Sequence, residues 1–311
     1  MRADSKQMLN WSSVFVLPVW MRVWWQSFGA GYDMFIRTVQ QDDKVIGVAP
    51  LTKKGNTAYF IGNTDVCDYE DFVITPGKEK DFFNTILDDL KDNGIKTLDL
   101  KHVRPDSTVI KSLSAVASGR GYKVETVQED VSFEMDLPDT FEAYIESLST
   151  KQRHEVRRKL RRLTEEGSIE YRFENSGPTL GDALNTFFRM FVDSRQDKAA
   201  FLTEQMQQYF KSLVEAMSAS GLLRLGVLEL DKKPLAEILC FEYNNCLYLY
   251  NSGYDPRYNF LSAGLLSKVL TIKDSIDKGI KKFDFLKGAE PYKAHIGGRE
   301  VPLYRCLISI Q

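Results

Sequence analysis

Residues Leu235 to Leu266 read LAEILCFEYNNCLYLYNSGYDPRYNFLSAGLL, and this stretch decides the fold. Two apolar runs, Leu235 to Tyr243 and Cys246 to Ser252, flank Asn244-Asn245, a two-residue turn whose asparagines tolerate positive φ. A tight hairpin sets Tyr243 against Cys246, Phe241 against Tyr248, Leu239 against Tyr250 and Glu237 against Ser252. Alternation then puts Glu237, Leu239, Phe241, Tyr248, Tyr250 and Ser252 on one face, and Ile238, Cys240, Leu247 and Leu249 on the other. A carboxylate among tyrosines on a buried sheet has a raised pKa, which suits a general base near neutral pH, so Glu237 is a candidate catalytic residue. The structural alternative is a carboxylate simply held by tyrosine hydroxyls. Beyond Ser252, Gly253 to Asn259 is rich in turn residues, and Ser262-Ala263-Gly264 opens a helix. Its first-turn N–H groups lack intrahelical partners and suit an anion, although Ser262 would serve any helix as an N-cap.

Outward from this stretch, helix Ser262 to Lys278 ends at Gly279, and strands Phe283 to Leu286 and Val301 to Ile310 follow. Toward the N-terminus, Leu222 to Leu230 reads as a strand. Helical spacing covers Phe141 to Leu148, Ser149 to Glu166, Pro178 to Ser194 and Glu204 to Ala219. Val14 to Phe28 reads as a core-packing helix. Strands are expected at Phe35 to Val39 and Val45 to Leu51, around the turn at Gln41 to Asp43. Thr57 to Ile61, Asp71 to Ile74 and Lys96 to Leu100 add strands, and Phe82 to Leu90 and Ser107 to Gly119 add helices. Strands and helices mixed in this way predict an α/β chain with mixed sheets. The expected division is an N-terminal half, 1–130, and a C-terminal half, 131–311, which contains a basic helix at 149–166.

The 311 residues are 43% hydrophobic and 27% charged, with a net charge of −2, which gives no global reason for nucleic-acid or membrane binding. No stretch approaches the roughly 18 consecutive apolar residues of a membrane span. Cys67, Cys240, Cys246 and Cys306 form no C-x-x-C pair and lie far in sequence from the three histidines, so no metal site is expected. Reduced thiols and a cytoplasmic location follow.

LYLYNSGYDPRYNFLSAGLL at 247–266 and FDFLKGAEPYK at 283–293, with LSTKQRHEVRRKLRRL at 148–163, IGVAPL at 46–51 and CDYEDFVI at 67–74, resemble the GNAT-like acetyltransferases associated with cellulose biosynthesis. That family is related to the Fem-type aminoacyltransferases of peptidoglycan synthesis, which pair two GNAT-like halves. The resemblance implies two tandem GNAT-like halves, the first degenerate and shaping the acceptor cleft, and an acyl-CoA co-substrate such as acetyl-CoA. The strand carrying Tyr250 and Ser252 would hold the pantetheine arm, and Ser262, Ala263 and Gly264 the pyrophosphate. The chain departs from the Gln/Arg-x-x-Gly-x-Gly/Ala loop, with Asn259 in the Gln/Arg position and Ser262 in a glycine position. Arg257 would supply the missing charge. Tyr292, just after the strand 283–286, would protonate the leaving thiolate. Lys293 and Asp255 would contact substrate.

Arg153 and Arg157, on the basic helix, stack at i, i+4 spacing. With Arg195 and Lys198 from a later loop they are candidates for binding anionic groups, either the adenosine phosphates or an anionic acceptor such as a sugar nucleotide, against the simpler reading of a solvated charged face. The expected activity is acyl transfer from acyl-CoA to an amine or hydroxyl of a small-molecule or saccharide acceptor in polysaccharide or cell-envelope synthesis. Transfer from a charged tRNA, as the Fem relationship implies, and a non-catalytic binding module are the alternatives.

Overall fold

Both tight turns read from the sequence form in the computed structural model, which describes residues 8–62, 65–194 and 196–310. Asp42 and Asp43, at φ 50° and 61°, join β1 (Asp33–Gln41) to β2 (Lys44–Lys54). Asn244 and Asn245, at φ 50° and 56°, make the corresponding turn later in the chain. Mirror-type turns of this kind match strand twist and select short polar residues that tolerate φ > 0. The chain forms two compact units, Met1–Val131 with Val301–Gln311, and Ser132–Glu300.

In the first unit, helix α1 (Pro18–Phe28) starts on a proline, whose missing N–H costs nothing there, and buries Trp20, Val23 and Trp24. The sheet runs β1-β2-β3-β5-β12, with β3 at Thr57–Phe60, β5 at Thr97–Val103 and β12 at Arg299–Ser309; β4 (Val73–Ile74) pairs β2. Helices α2 (Glu79–Asp92) and α3 (Ser114–Gly119) complete it, the latter entered through a π-helical turn at Val109–Leu113 where the sequence pattern suggested one continuous helix. Phe60, Phe72, Phe82 and Phe83 meet edge to face in its core, with ring centroids 5.0–5.8 Å apart. The last strand, expected with the second half, instead pairs antiparallel with β5, Leu307 opposite Asp99. Residues 301–311 therefore belong to the first unit.

Strand β6 (Lys123–Asp136) leads into the second unit, where α4 (Phe141–Ser147), α5 (Thr150–Glu166), β7 (Ile169–Glu174), α6 (Leu180–Ser194), α7 (Gln196–Phe201) and α8 (Glu204–Ala219) precede the sheet's centre. Then come β8 (Leu223–Leu230), β9 (Lys233–Tyr243), β10 (Cys246–Tyr254), α9 (Ala263–Asp277), β11 (Lys282–Lys287) and α10 (Pro291–His295). The strand order is β6-β11-β10-β9-β8-β7. β7 escapes the sequence reading because its residues are largely half-buried and charged, without clean alternation.

The hairpin register holds near the turn, with Tyr243 opposite Cys246 and Phe241 opposite Tyr248. It then slips: a bulge between Leu249 and Asn251 leaves Tyr250 out of the ladder, so Leu239 pairs Asn251, Ile238 pairs Ser252 and Glu237 pairs Gly253. One extra residue reverses the facing of everything beyond it. Ser252 thus shares a face with Ile238, not with Glu237 as the unbroken register required. Gly253 takes the opposite face, against α6, where an added Cβ would lie 2.5 Å from the Phe191 amide nitrogen and 2.6 Å from the Met190 carbonyl carbon. Backbone cannot yield as a side chain can. Gly253→Ala is therefore expected to destabilise the protein by about 1–3 kcal/mol, an overpacking cost, read as a lower urea midpoint at unchanged slope.

Candidate active site between two parting strands

β10 and β11 run parallel, but only Cys246–Lys282, Leu247–Phe283 and Tyr248–Asp284 are paired. Each strand breaks its regular run just past the last pair. β10 has the bulge at Tyr250. β11 has a register shift between Asp284 and Leu286 in its pairing with β6, and Leu286 sits at φ 61°, unusual for a bulky residue. The buried Asp284 carboxylate accepts the Leu286 amide at 2.8 Å and holds that turn. Beyond Tyr248, β10 and β11 are no longer paired as strands among the described residues.

Lys293, on α10, fixes the end of β11. Its Nζ donates to the carbonyls of Leu286 (3.0 Å), Lys287 (2.5 Å) and Gly288 (3.0 Å), and pairs with Glu290 at 3.0 Å. The residue is 2% exposed, so the sequence expectation of a substrate-neutralising lysine gives way to a buried clamp. Its neighbour Tyr292 reaches the interior of the second unit, where the Lys268 ammonium nitrogen lies 5.0 Å from its ring centroid.

Lys268 went unnoticed in the sequence. It projects from α9 beneath β10, 6% exposed, and Nζ donates to Ser252 Oγ at 3.0 Å and to the Gly264 carbonyl at 2.7 Å. Burial, with the nearby Lys198 charge next in weight, brings its pKa down to about 7. A signal existed: Gly264, Lys268, Thr271 and Ser275 fall at i, i+4, i+7 and i+11 on one helical stripe, and the last three are buried polar residues. Lys198, on α7, donates to the Ser252 carbonyl from the other side and stacks on Phe191, 4.6 Å from its ring centroid. Ser252 therefore gathers two lysines.

Glu237 is 1% exposed, and its Oε2 has no hydrogen-bond partner among the described residues. Desolvation raises its pKa to about 8, against the pull of Arg172 and Arg189, so the carboxyl carries its proton at neutral pH. It shares the α6 face with Gly253, whereas Lys268 meets Ser252 on the α9 face. The sheet thus separates Glu237 from the Lys268–Ser252 cluster beside Tyr292. A protonated carboxyl on the far face is poorly placed to act as the base expected from the sequence. Tyr250 packs on the same side as Phe241 and Phe210, at 5.3 and 5.6 Å between ring centroids.

At the helix start, Ser262 lies in the left-handed region at φ 57° and makes no side-chain cap, contrary to the N-cap expectation. Its carbonyl accepts from Leu265 and Leu266, each at 3.0 Å, which leaves Ala263 and Gly264 as the first-turn amides without a hydrogen bond among the described residues. The preceding loop is a 3-10 helix, Pro256–Leu261, and Asn259 contributes its carbonyl to Ser262 N. Asp255 caps that turn by accepting from Arg257 N at 3.0 Å and pairs with the Arg257 guanidinium at 2.6 Å. Asp255 is accordingly a loop-fixing residue. Arg257, with a side chain 79% exposed, keeps most of its surface in solvent. The Tyr254 ring covers Gly264, within 2.7 Å of where a Cβ would stand.

The basic helix is tied down. Arg153 pairs with Glu146 at 2.6 Å and donates to the Glu146 and Leu148 carbonyls, orphan acceptors at the end of α4. Arg157 bridges Glu142 and Glu146, the latter at 2.8 Å. These two arginines join α4 to α5. Arg195 lies outside the described residues. In the first unit, a polar cavity of about 300 Å³ is lined by Tyr69, Glu70, Asp71, Arg104 and Thr108 among others. Asp71 there is occupied by the Thr108 amide and hydroxyl, at 2.9 and 2.6 Å. Among the described residues, no cluster of three His, Cys, Asp or Glu could hold a metal, all four cysteines are buried free thiols, and no helix is long and apolar enough to cross a membrane.

Residues 150–294, which include the parting strands and the α9 start, match the model of the Acetyltransferase (GNAT) domain family. Among solved structures, the chain is similar to FemX (13% identity, 97% of this chain and 94% of that one, TM-score 0.70). It is also similar to L-PGS from Bacillus licheniformis (11% identity, 94% and 91%, TM-score 0.55) and to the C-terminal domain of a putative lysylphosphatidylglycerol synthetase from Agrobacterium fabrum (12% identity, 93% and 88%, TM-score 0.55). At such identities the likeness shows the fold, a GNAT-like mixed α/β architecture. No curated protein matches the chain.

The Glu237 environment carries a pH signature. The folded carboxyl keeps its proton to about pH 8, whereas an unfolded glutamate releases it near 4.5, so rising pH favours the unfolded chain across that interval. Glu237→Gln cannot ionise. Its melting temperature relative to wild type is expected to climb steadily from about pH 5 to about pH 8; a constant difference across the series would contradict the buried, protonated assignment.

Proposed function

We propose that the protein is an acyltransferase that moves an acyl group from acyl-CoA to an amine or hydroxyl of a small-molecule or saccharide acceptor, with the chemistry in the second of two GNAT-like halves. The observation that carries this reading is the parting of β10 from β11 after three pairs, next to a helix start with two unbonded amides. A thioester arm laid along the open edge of β10 would take strand-like hydrogen bonds from it, and the Ala263 and Gly264 amides would meet the phosphates. N–H groups of β10 past the last β11 pair are proposed to stabilise the oxyanion of the tetrahedral intermediate. Tyr292, close to Lys268, is proposed to return a proton to the leaving thiolate. A second reading, transfer from a charged tRNA, is favoured by the likeness to FemX over nearly the whole chain.

Thermal shift separates the two. A ligand at 100 times its Kd adds about 2.7 kcal/mol to stability, so acetyl-CoA or a longer acyl-CoA is expected to raise the melting temperature, while uncharged and charged tRNA leave it unchanged. Stabilisation by charged tRNA alone would transfer the site to the second reading, and no response to either would remove both. With an active donor–acceptor pair, Tyr292→Phe is expected to lower kcat about 100-fold, as loss of a general acid does, with little change in the donor's Kd.

A further inference from the structure

Ser252 is half-buried at the edge of the strand gap, four residues beyond Tyr248, the last β10 residue paired with β11, and its hydroxyl meets the Lys268 amine at 3.0 Å. The bulge at Tyr250 produces this meeting. Without it, Ser252 would face α6, away from α9. Lys268 reaches in from the fourth position beyond Gly264, anchored on the Gly264 carbonyl at 2.7 Å, so Nζ has little freedom to leave the hydroxyl. A simple buried salt bridge does not explain the residue, because its hydrogen bonds go to the Ser252 hydroxyl and the Gly264 carbonyl, not to a carboxylate. A lysine neutral enough to accept a proton, set against a serine hydroxyl, is the arrangement of a Ser–Lys nucleophile.

We propose that Ser252 is a covalent acyl acceptor, activated by Lys268, so that transfer passes through an ester on this chain. The inference rests on the acyl-transfer reading above and specifies its course. In the first step Ser252 Oγ attacks the thioester carbonyl carbon, the Oγ proton passes to Lys268 Nζ, and the C–S bond breaks. The departing thiolate takes a proton, with Tyr292 as donor to sulfur and Lys268 restoring the phenol. In the second step the acceptor's nitrogen or oxygen attacks the ester carbon, its proton goes by way of Lys268 to Oγ, and the C–Oγ bond breaks. Serine, lysine and tyrosine end as they began.

Lys268 is faced by Lys198 from α7, Cys240 from β9, Ser252 from β10, and Tyr292, Glu290 and Lys293 on or beside α10. The cationic neighbours and burial favour its neutral form, Glu290 opposes them, and the buried Cys240 thiol stays protonated because desolvation pushes its pKa up. Acylation is therefore expected to rise with pH through about 7.

The test uses two donors on the full chain without an acceptor, acetyl-CoA and the generic ester p-nitrophenyl acetate. Intact-mass and peptide mass spectrometry are expected to find one acetyl group on Ser252, with p-nitrophenolate released in a stoichiometric burst. Ser252→Ala should lose both signals. Lys268→Arg retains a cation but not the neutral amine, and should slow the burst at least about 100-fold, as loss of a general base does, with a melting curve that shows the fold intact. A protein stabilised by acetyl-CoA that acquires no acetyl group from either donor, or acquires it equally in Ser252→Ala, overturns the covalent step and leaves the acyltransferase reading standing. Acetylation by the ester with no binding of acyl-CoA sustains the nucleophile and overturns the donor assignment instead.

Discussion

Everything proposed for the second unit depends on two neighbouring parallel strands that stop pairing at the same level. A parallel ladder, once begun, ordinarily continues, because each further residue offers a donor and an acceptor that would otherwise have to find water. Here the continuation is blocked on both sides. β10 spends a residue on the Tyr250 bulge, and β11 turns at Leu286 into a conformation that ordinary side chains avoid. Asp284 holds the turn from before, and Lys293 gathers the three following carbonyls from beneath. A buried ammonium so surrounded is costly to remove, since three acceptors would lose their donor together. The parting of the strands is thus fixed by the chain's own contacts.

The same devices set the chemistry on either side of the sheet. The bulge moves Ser252 to the α9 face and leaves Glu237 under α6, so two polar groups that an ideal hairpin would align are divided by a layer of backbone. Each then acquires an opposite bias from the same cause. Desolvation keeps the carboxyl protonated and favours loss of the lysine's proton, and both groups become neutral in the range where most proteins work. Neutral Lys268 is chemically useful because its partner is a hydroxyl.

Much of this was legible in the sequence, and what was not has an identifiable reason. Asn244-Asn245 and the adjacent pairs follow from turn chemistry and alternation, which act within a few residues. The bulge after Leu249 does not follow from such local rules; past it, Gly253 lies against the α6 backbone at Met190 and Phe191, a contact with a part of the chain far from the hairpin in sequence. The arginines of α5 read as an anion-binding surface because their partners, Glu142 and Glu146, lie on another helix. Lys293 was recognised as important by its position after β11, but its role as a clamp depends on where three carbonyls point. Lys268 was hidden by its surroundings, one of several charged residues on a helix that also carries Lys273, Asp274 and Asp277, and only the buried polar stripe with Thr271 and Ser275 distinguished it.

The return of β12 to the first unit has a consequence for biogenesis. Ser132–Glu300 is one uninterrupted stretch, whereas the other unit is assembled from two segments on either side of it. On the ribosome the contiguous unit can mature as it emerges, while β5 waits with an unpaired edge until residues 301–309 are released. For that interval the nascent protein exposes a half-finished ladder, and the aromatic core around Phe72 and Phe83 closes last although most of it is synthesised first. Chaperone dependence, if the cell supplies any, is expected to concentrate on this early-made, late-completed portion.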